Sequence, residues 1–259
     1  MESENIKTNF ELSGAPCAAK IHANEFSSAE KELVHRLIHA RRDIRQFQSD
    51  SIPTDVLWRI LEAAHAAPSV GFMQPWNFIL IESAEIRSQI KASFDAINAA
   101  EKLKLEGTPR SRLYNSLKLE GILESPLNIA VTCDHARNGS YVLGRAPMPQ
   151  TAPYSVCLAI ENLWLAARSE GVGVGWVSIL DQASVERILG LPDGVELIAY
   201  LCIGYPVEFR PMPLLQEVGW KERERLQTLL FKDQWGTPAP LAPDGLHVSE
   251  PSPAPKGES

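Results

Sequence analysis

Residues 154–178 read YSVCLAIENLWLAARSEGVGVGWVS, and the two halves of this stretch follow different periods. From Tyr154 to Ser169 the apolar side chains Val156, Leu158, Ile160, Leu163, Trp164, Leu165, Ala166 and Ala167 fall on nearly every side of a helix, which Gly171 ends. A helix apolar on almost all sides is either wrapped by its own domain or lies in a subunit interface. Gly173 to Ser178 then reads as a buried strand. The run G-x-G-x-G at Gly171, Gly173 and Gly175 lacks the spacing of the G-x-G-x-x-G fingerprint. It also follows a helix and precedes a strand, the reverse of what dinucleotide binding needs.

Outward from this stretch, three more apolar runs read as strands: Trp76–Ile81, Asn128–Cys133 and Leu197–Ile203. Ser28 is placed to cap a helix with Leu33, Val34, Leu37 and Ile38 on one face. Thr54 caps a second, carrying Val56, Leu57, Ile60, Leu61 and Ala64, and Pro68 stops it. Ser83 opens a third towards Leu105, and Asp181 caps a short helix between the last two strands. The expected class is α+β, a central mixed β-sheet flanked by helices. One domain from 28 to 235 is the simplest partition, between a polar tail (1–27) and a tail (236–259) that holds six of the 19 prolines and is expected to be disordered.

Charge and composition remove several functional classes. Across 259 residues, 25 Lys+Arg against 32 Asp+Glu leave a net charge of −7, which repels phosphodiester backbones and argues against nucleic-acid binding. No apolar run approaches the ~20 residues that cross a bilayer. The first residues carry Glu2, Glu4 and Lys7 and no apolar signal core. Cys17, Cys133, Cys157 and Cys202 are scattered without metal-ligand spacing, as in a reducing compartment. A cytoplasmic protein with no membrane or nucleic-acid partner and no metal is expected.

Two segments carry candidate chemistry. Arg41, Arg42 and Arg45 flank Asp43 and Ile44, and three guanidiniums within five residues of an acidic chain suit an anion. The plain alternative is a solvated charge run. Ala67 to Trp76, APSVGFMQPW, joins a helix to a strand and offers a hydroxyl, a glycine for close backbone approach and an amide. Its plain alternative is a tight turn.

Taken together, RRDIRQF (41–47) and AAHAAPSVGFMQPW (63–76) resemble the FMN-dependent nitroreductase superfamily, and more closely its 5,6-dimethylbenzimidazole synthases. Leu117–Ile122, Gly144–Pro149, Asn162–Arg168, Glu170–Ser178 and Leu201–Pro206 match as well. The resemblance spans about residues 28 to 235. It implies an intertwined homodimer with FMN at each subunit interface. Arg41, Arg42 and Arg45 would hold the ribityl phosphate and flavin edge, joined by Arg210. Ser69, Gly71 and Gln74 would reach across from the partner subunit. The Gly175 backbone would face the ring, and Leu119 would give a main-chain contact.

The activity implied is oxygen-dependent fragmentation of reduced FMN to 5,6-dimethylbenzimidazole, the lower ligand of vitamin B12, and erythrose 4-phosphate. Reduced FMN is then substrate and dioxygen co-substrate, while NAD(P)H acts indirectly, through flavin reduction or a separate flavin reductase. Asp43 is the candidate base, where relatives that only shuttle electrons commonly carry serine, and its alternative is an ion-pair partner that orients the arginines. Ser178 is the candidate hydrogen-bonding group at the flavin ring. The stretches 106–121 and 134–149 look irregular and are candidates for a lid. An FMN-dependent NAD(P)H nitroreductase or dehalogenase, and a non-catalytic flavin-binding protein, are the rival functions.

Overall fold

The computed structural model describes residues 25–239, so most of both expected tails lies outside the described residues. The chain divides into two compact units, one ending at Arg41 and one beginning at Arg42. The described part of the first unit centres on helix α1 (Ser28–Ala40). Its cap is Ser27 rather than Ser28. Only from Ser27 does Glu30 fall at the third helical position, where hydroxyl and carboxylate satisfy each other's backbone N–H at 3.3 and 2.8 Å.

The second unit is built on four strands, β1 (Trp76–Ile81), β2 (Leu127–Asp134), β3 (Gly173–Val177) and β4 (Val195–Gly204). Their order in the sheet is β1-β2-β4-β3, and every neighbouring pair is antiparallel. The expected mixed sheet is corrected by that order. β2 and β3 do run parallel to each other, as a strand–helix–strand unit requires. However, β4 inserts between them with the opposite sense, so none of these four strands lies beside a parallel one, and the parallel contact on β3 is an isolated bridge from Asp43.

Helices cover both faces. On one lie α2 (Thr54–His65) and α5 (Thr151–Ser169), packed on Ile129, Val131, Leu201 and Ile203. On the other lie α3 (Ala84–Leu105) and α6 (Gln182–Leu189), against Ala130, Tyr200 and Cys202. The alternation of neighbouring residues between the two clusters is the period-2 signature of a strand buried on both faces. Ser83 and Asp181 cap α3 and α6 as expected, while Thr54 is the first residue of α2 and caps nothing. A short helix α4 (Arg110–Ser116) follows α3, and α7 (Leu214–Glu217) lies beyond β4.

α5 accounts for the apolar run from Tyr154 to Ser169. Val156, Ala159, Ile160, Leu163 and Ala167 are buried in the core, while Tyr154, Cys157 and Leu158 leave the opposite side exposed and largely apolar. Among the described residues no helix is long and apolar enough to cross a membrane.

Candidate active site

The arginine segment lies along β3, an edge strand of the four. Asp43 bridges Val174 in parallel sense, the Ile44 N–H donates to Val174 O at 3.0 Å, and Gln48 N–H donates to Tyr205 O at 2.8 Å. An extended backbone alternates its side chains, so Ile44 enters the core while its neighbours Asp43 and Arg45 project to the other side, and Phe47 is buried further along at its own bridge to Pro206. This geometry builds a polar group around the backbone of one residue, Trp176. Asp43 Oδ1 accepts the Trp176 N–H at 3.0 Å, and Arg45 Nη2 donates to the Trp176 carbonyl at 2.7 Å. Arg45 Nη2 and Asp43 Oδ2 stand 2.5 Å apart. The Arg45 side chain is only 16% exposed, whereas that of Asp43 keeps 44%. Arg45 Nη1 is buried and has no hydrogen-bond partner among the described residues. A buried donor left unpaired is costly, so this atom suits an acceptor on a bound molecule.

Gly175 sits inside this group for a steric reason. A Cβ there would lie 2.0 Å from the Ile44 carbonyl oxygen and 2.7 Å from Arg45 Nη1. The absent side chain is what lets the Asp43–Arg45 segment close onto β3. Ser178 follows the end of β3, two residues beyond Trp176, and is exposed.

Arg42 and Arg210 make contacts of their own. Arg42 donates through Nε to Arg210 O at 3.0 Å and through Nη2 to Pro211 O, and its own carbonyl accepts the Trp164 indole N–H at 3.1 Å. Arg210 places its guanidinium between Glu217 and Glu208, each at 2.9 Å, and the two carboxylates raise its pKa, Glu217 first. Arg41 belongs to the first unit and ends α1, its N–H donating to Leu37 O. Within the second unit the structure therefore gathers Asp43, Arg45 and Gly175, and joins Arg42 to the backbone at Arg210. Leu119 packs against the second core cluster in a loop fixed by Arg87, which donates to Ile122 O and Ser125 O.

Ser69, Gly71 and Gln74 form another group. Ser69 Oγ accepts the Gln74 N–H at 3.0 Å, and Val70 N–H donates to Ser155 Oγ of α5 at 3.1 Å. Gly71, Phe72 and Gln74 have φ of 51°, 55° and 50°. Left-handed backbone costs about 1–3 kcal/mol at each non-glycine position and persists only where surroundings impose it. Gly71 carries a second constraint, since a Cβ would meet Leu143 O at 2.7 Å.

The surroundings come from the stretch 134–149, one of the two lid candidates. It is fastened to this loop by Arg137 and Asn138 and internally by Arg145, which donates to His135 O, Gly139 O and Ser140 O. It acts as a brace. The other candidate folds in part into α4, where Tyr114 is buried, donates to Asn98 Oδ1 at 2.9 Å and rests near the Trp220 ring. Sequence reasoning passed over Arg137 and Asn138. The signal was a D-x-x-R-N run directly after an apolar strand, where a polar cluster has a rigid element to stand on. Burial pushes the Cys202 thiol up to about 12, which removes it as a nucleophile.

Comparison with known proteins places this geometry among relatives. The model of the Nitroreductase family matches residues 38–205. The 5,6-dimethylbenzimidazole synthase of Rhodospirillum rubrum is 43% identical over 198 residues, covering 76% of this chain and 93% of that protein. That of Rhodobacter capsulatus is 39% identical over 197 residues, covering 76% and 95%. Among solved structures, a BluB-like flavoprotein from Clostridium difficile 630 superposes with a TM-score of 0.58 at 18% identity, covering 78% of this chain and 99% of that one. At that identity the likeness concerns the fold.

Proposed function

The chain belongs to the nitroreductase family, and on that premise we infer that it is a 5,6-dimethylbenzimidazole synthase acting on reduced FMN and dioxygen. The observation that carries this reading is the Asp43 carboxylate, fixed by the Trp176 N–H and Arg45 and 44% exposed. A carboxylate so fixed, at a partly exposed position, is oriented to take a proton from a bound donor. Asp43 therefore serves as the base as well as the orienter of Arg45, and both expected roles are compatible with its contacts.

The residues present fit a flavin. Arg45 Nη1, buried and lacking a partner among the described residues, suits the carbonyl-bearing edge of the ring. Gly175 leaves the backbone of β3 bare beside it, and Ser178 supplies a hydroxyl at the strand end. Arg42 fixes the backbone at Arg210, the segment that would face the phosphate. Arg210 would have to exchange Glu208 or Glu217 for that phosphate, and Arg41 stays a candidate by resemblance alone. Ser69, Gly71 and Gln74 contribute from a second copy, and the exposed apolar side of α5 (Tyr154, Cys157, Leu158) is the surface on which the copies meet. Leu119 remains a main-chain contact. Reduced FMN, when bound, supplies the electrons that activate dioxygen. NAD(P)H enters only indirectly, through the reduction of the flavin.

The test is chromatography of an aerobic reaction with reduced FMN. Loss of FMN with matching appearance of 5,6-dimethylbenzimidazole supports the reading. Full recovery of FMN with consumption of NAD(P)H identifies a nitroreductase or dehalogenase, and recovery without turnover identifies a binding protein.

A further inference from the structure

Arg137 is 31% exposed in its side chain and stands just beyond the end of β2. Its Nη1 donates to Gln74 O at 2.8 Å and to Trp76 O at 2.9 Å, and its Nη2 donates to Asn77 Oδ1. Asp134 stands 3.6 Å from its Nε. Two carbonyls that converge on one nitrogen repel each other unless a donor lies between them. The bend through Pro75 therefore depends on the guanidinium. The neighbouring Asn138 donates to Met73 O at 3.3 Å. Asp134 N–H donates to Pro75 O at 2.8 Å, which ties the end of β2 to the same turn. Apart from the Asp134 carboxylate at Arg137, each of these contacts lands within 73–77, immediately after Phe72 and around Gln74, both held in left-handed backbone.

We propose that Arg137 is a positioning residue for the flavin: from the end of β2 it holds the Ser69–Gln74 loop in the strained shape that presents Ser69 and Gln74 to the cofactor. The proposal rests on the reading of that loop as a flavin contact. Arg137 does not touch the cofactor itself. It sets the fraction of chains whose loop is competent to bind, and apparent affinity scales with that fraction. Arg145 provides an internal comparison, because it bonds three carbonyls of the same brace and reaches the loop only through the Met73 sulfur, at 3.9 Å, with no bond to a backbone group of 74–77.

The experiment titrates purified dimeric protein with FMN by fluorescence quenching, without turnover, alongside thermal melts. Arg137→Ala is expected to raise Kd for FMN about 10- to 100-fold, the population lost when one left-handed residue is no longer imposed. Arg145→Ala is expected to lower the melting temperature while leaving Kd within about threefold. Millimolar guanidinium chloride, but not sodium chloride at the same ionic strength, should restore part of the affinity of Arg137→Ala. Arg137→Lys, which keeps the charge and some donors, should fall between wild type and Arg137→Ala, and replaces it if the alanine variant does not fold.

Affinity losses that track the loss in melting temperature equally in the Arg137 and Arg145 variants would overturn the proposal, as would an unchanged Kd in Arg137→Ala. A wild-type dimer that binds no FMN would overturn it together with the flavin reading. A wild type that binds FMN but forms no benzimidazole would sink only the assigned reaction, and the affinity comparison would still decide Arg137.

Discussion

Gly175→Ala tests whether the site depends on close contact between β3 and the arginine segment. The added Cβ would lie 2.0 Å from Ile44 O, against the 3.0 Å below which such contacts essentially never occur. The two backbones must therefore part by about 1 Å, an overpacking displacement of the kind that destabilises a fitted interior. Three bonds span that gap: Ile44 N–H to Val174 O, Trp176 N–H to Asp43, and Arg45 to Trp176 O. A neutral backbone bond contributes about 0.5–1.5 kcal/mol and a charge-assisted one about 1.5–3, and solvent access to Asp43 reduces its share. Their partial loss places the cost at about 2–4 kcal/mol, or roughly 5–15 °C in melting temperature for a domain of this size. Gly171→Ala is the control. Its φ is +74° with nothing within 4 Å of a Cβ, so it carries only the conformational penalty of about 1–2 kcal/mol. Thermal melts and FMN titration of both variants give the answer. Gly175→Ala should be the less stable of the two and should lose FMN binding. A melting temperature within about 2 °C of wild type, with FMN affinity intact, would refute the close-contact account.

Asp43→Asn should abolish benzimidazole formation while reduced FMN still binds, because the amide keeps the volume and can still accept the Trp176 N–H but takes up no proton. Flavin then returns as oxidised FMN with hydrogen peroxide, and a normal benzimidazole yield at saturating flavin would remove Asp43 from the chemistry. Leu158→Asp places a charge on the exposed side of α5 and should give a folded monomer that no longer binds FMN. Sedimentation that still finds a dimer would show that the copies meet elsewhere.

The strands and most helices were legible because their signals are local. Trp76–Ile81 and Ser83 appear where apolar runs and a capping hydroxyl put them. Sheet order was not legible, since the insertion of β4 between β2 and β3 depends on long-range pairing that no local period encodes. α5 looked apolar all round because sequence does not distinguish an apolar core face from an exposed one. In the site, the pairing of Asp43 with Arg45 could be anticipated from their spacing. The separation of Arg42 from Arg45 was hidden, because proximity in sequence says nothing about the alternation that an extended segment on β3 imposes. The seating of Arg210 between two carboxylates and the bracing by Arg137 both depend on contacts distant in sequence.

The most direct measurement gives the purified protein reduced FMN labelled at the first ribityl carbon, in air, and follows the label by mass spectrometry. If the chain is a 5,6-dimethylbenzimidazole synthase, the label appears at C2 of the benzimidazole in step with FMN lost, and the four-carbon sugar phosphate is unlabelled. Labelled FMN recovered whole after repeated cycles of reduction and oxidation would contradict the account.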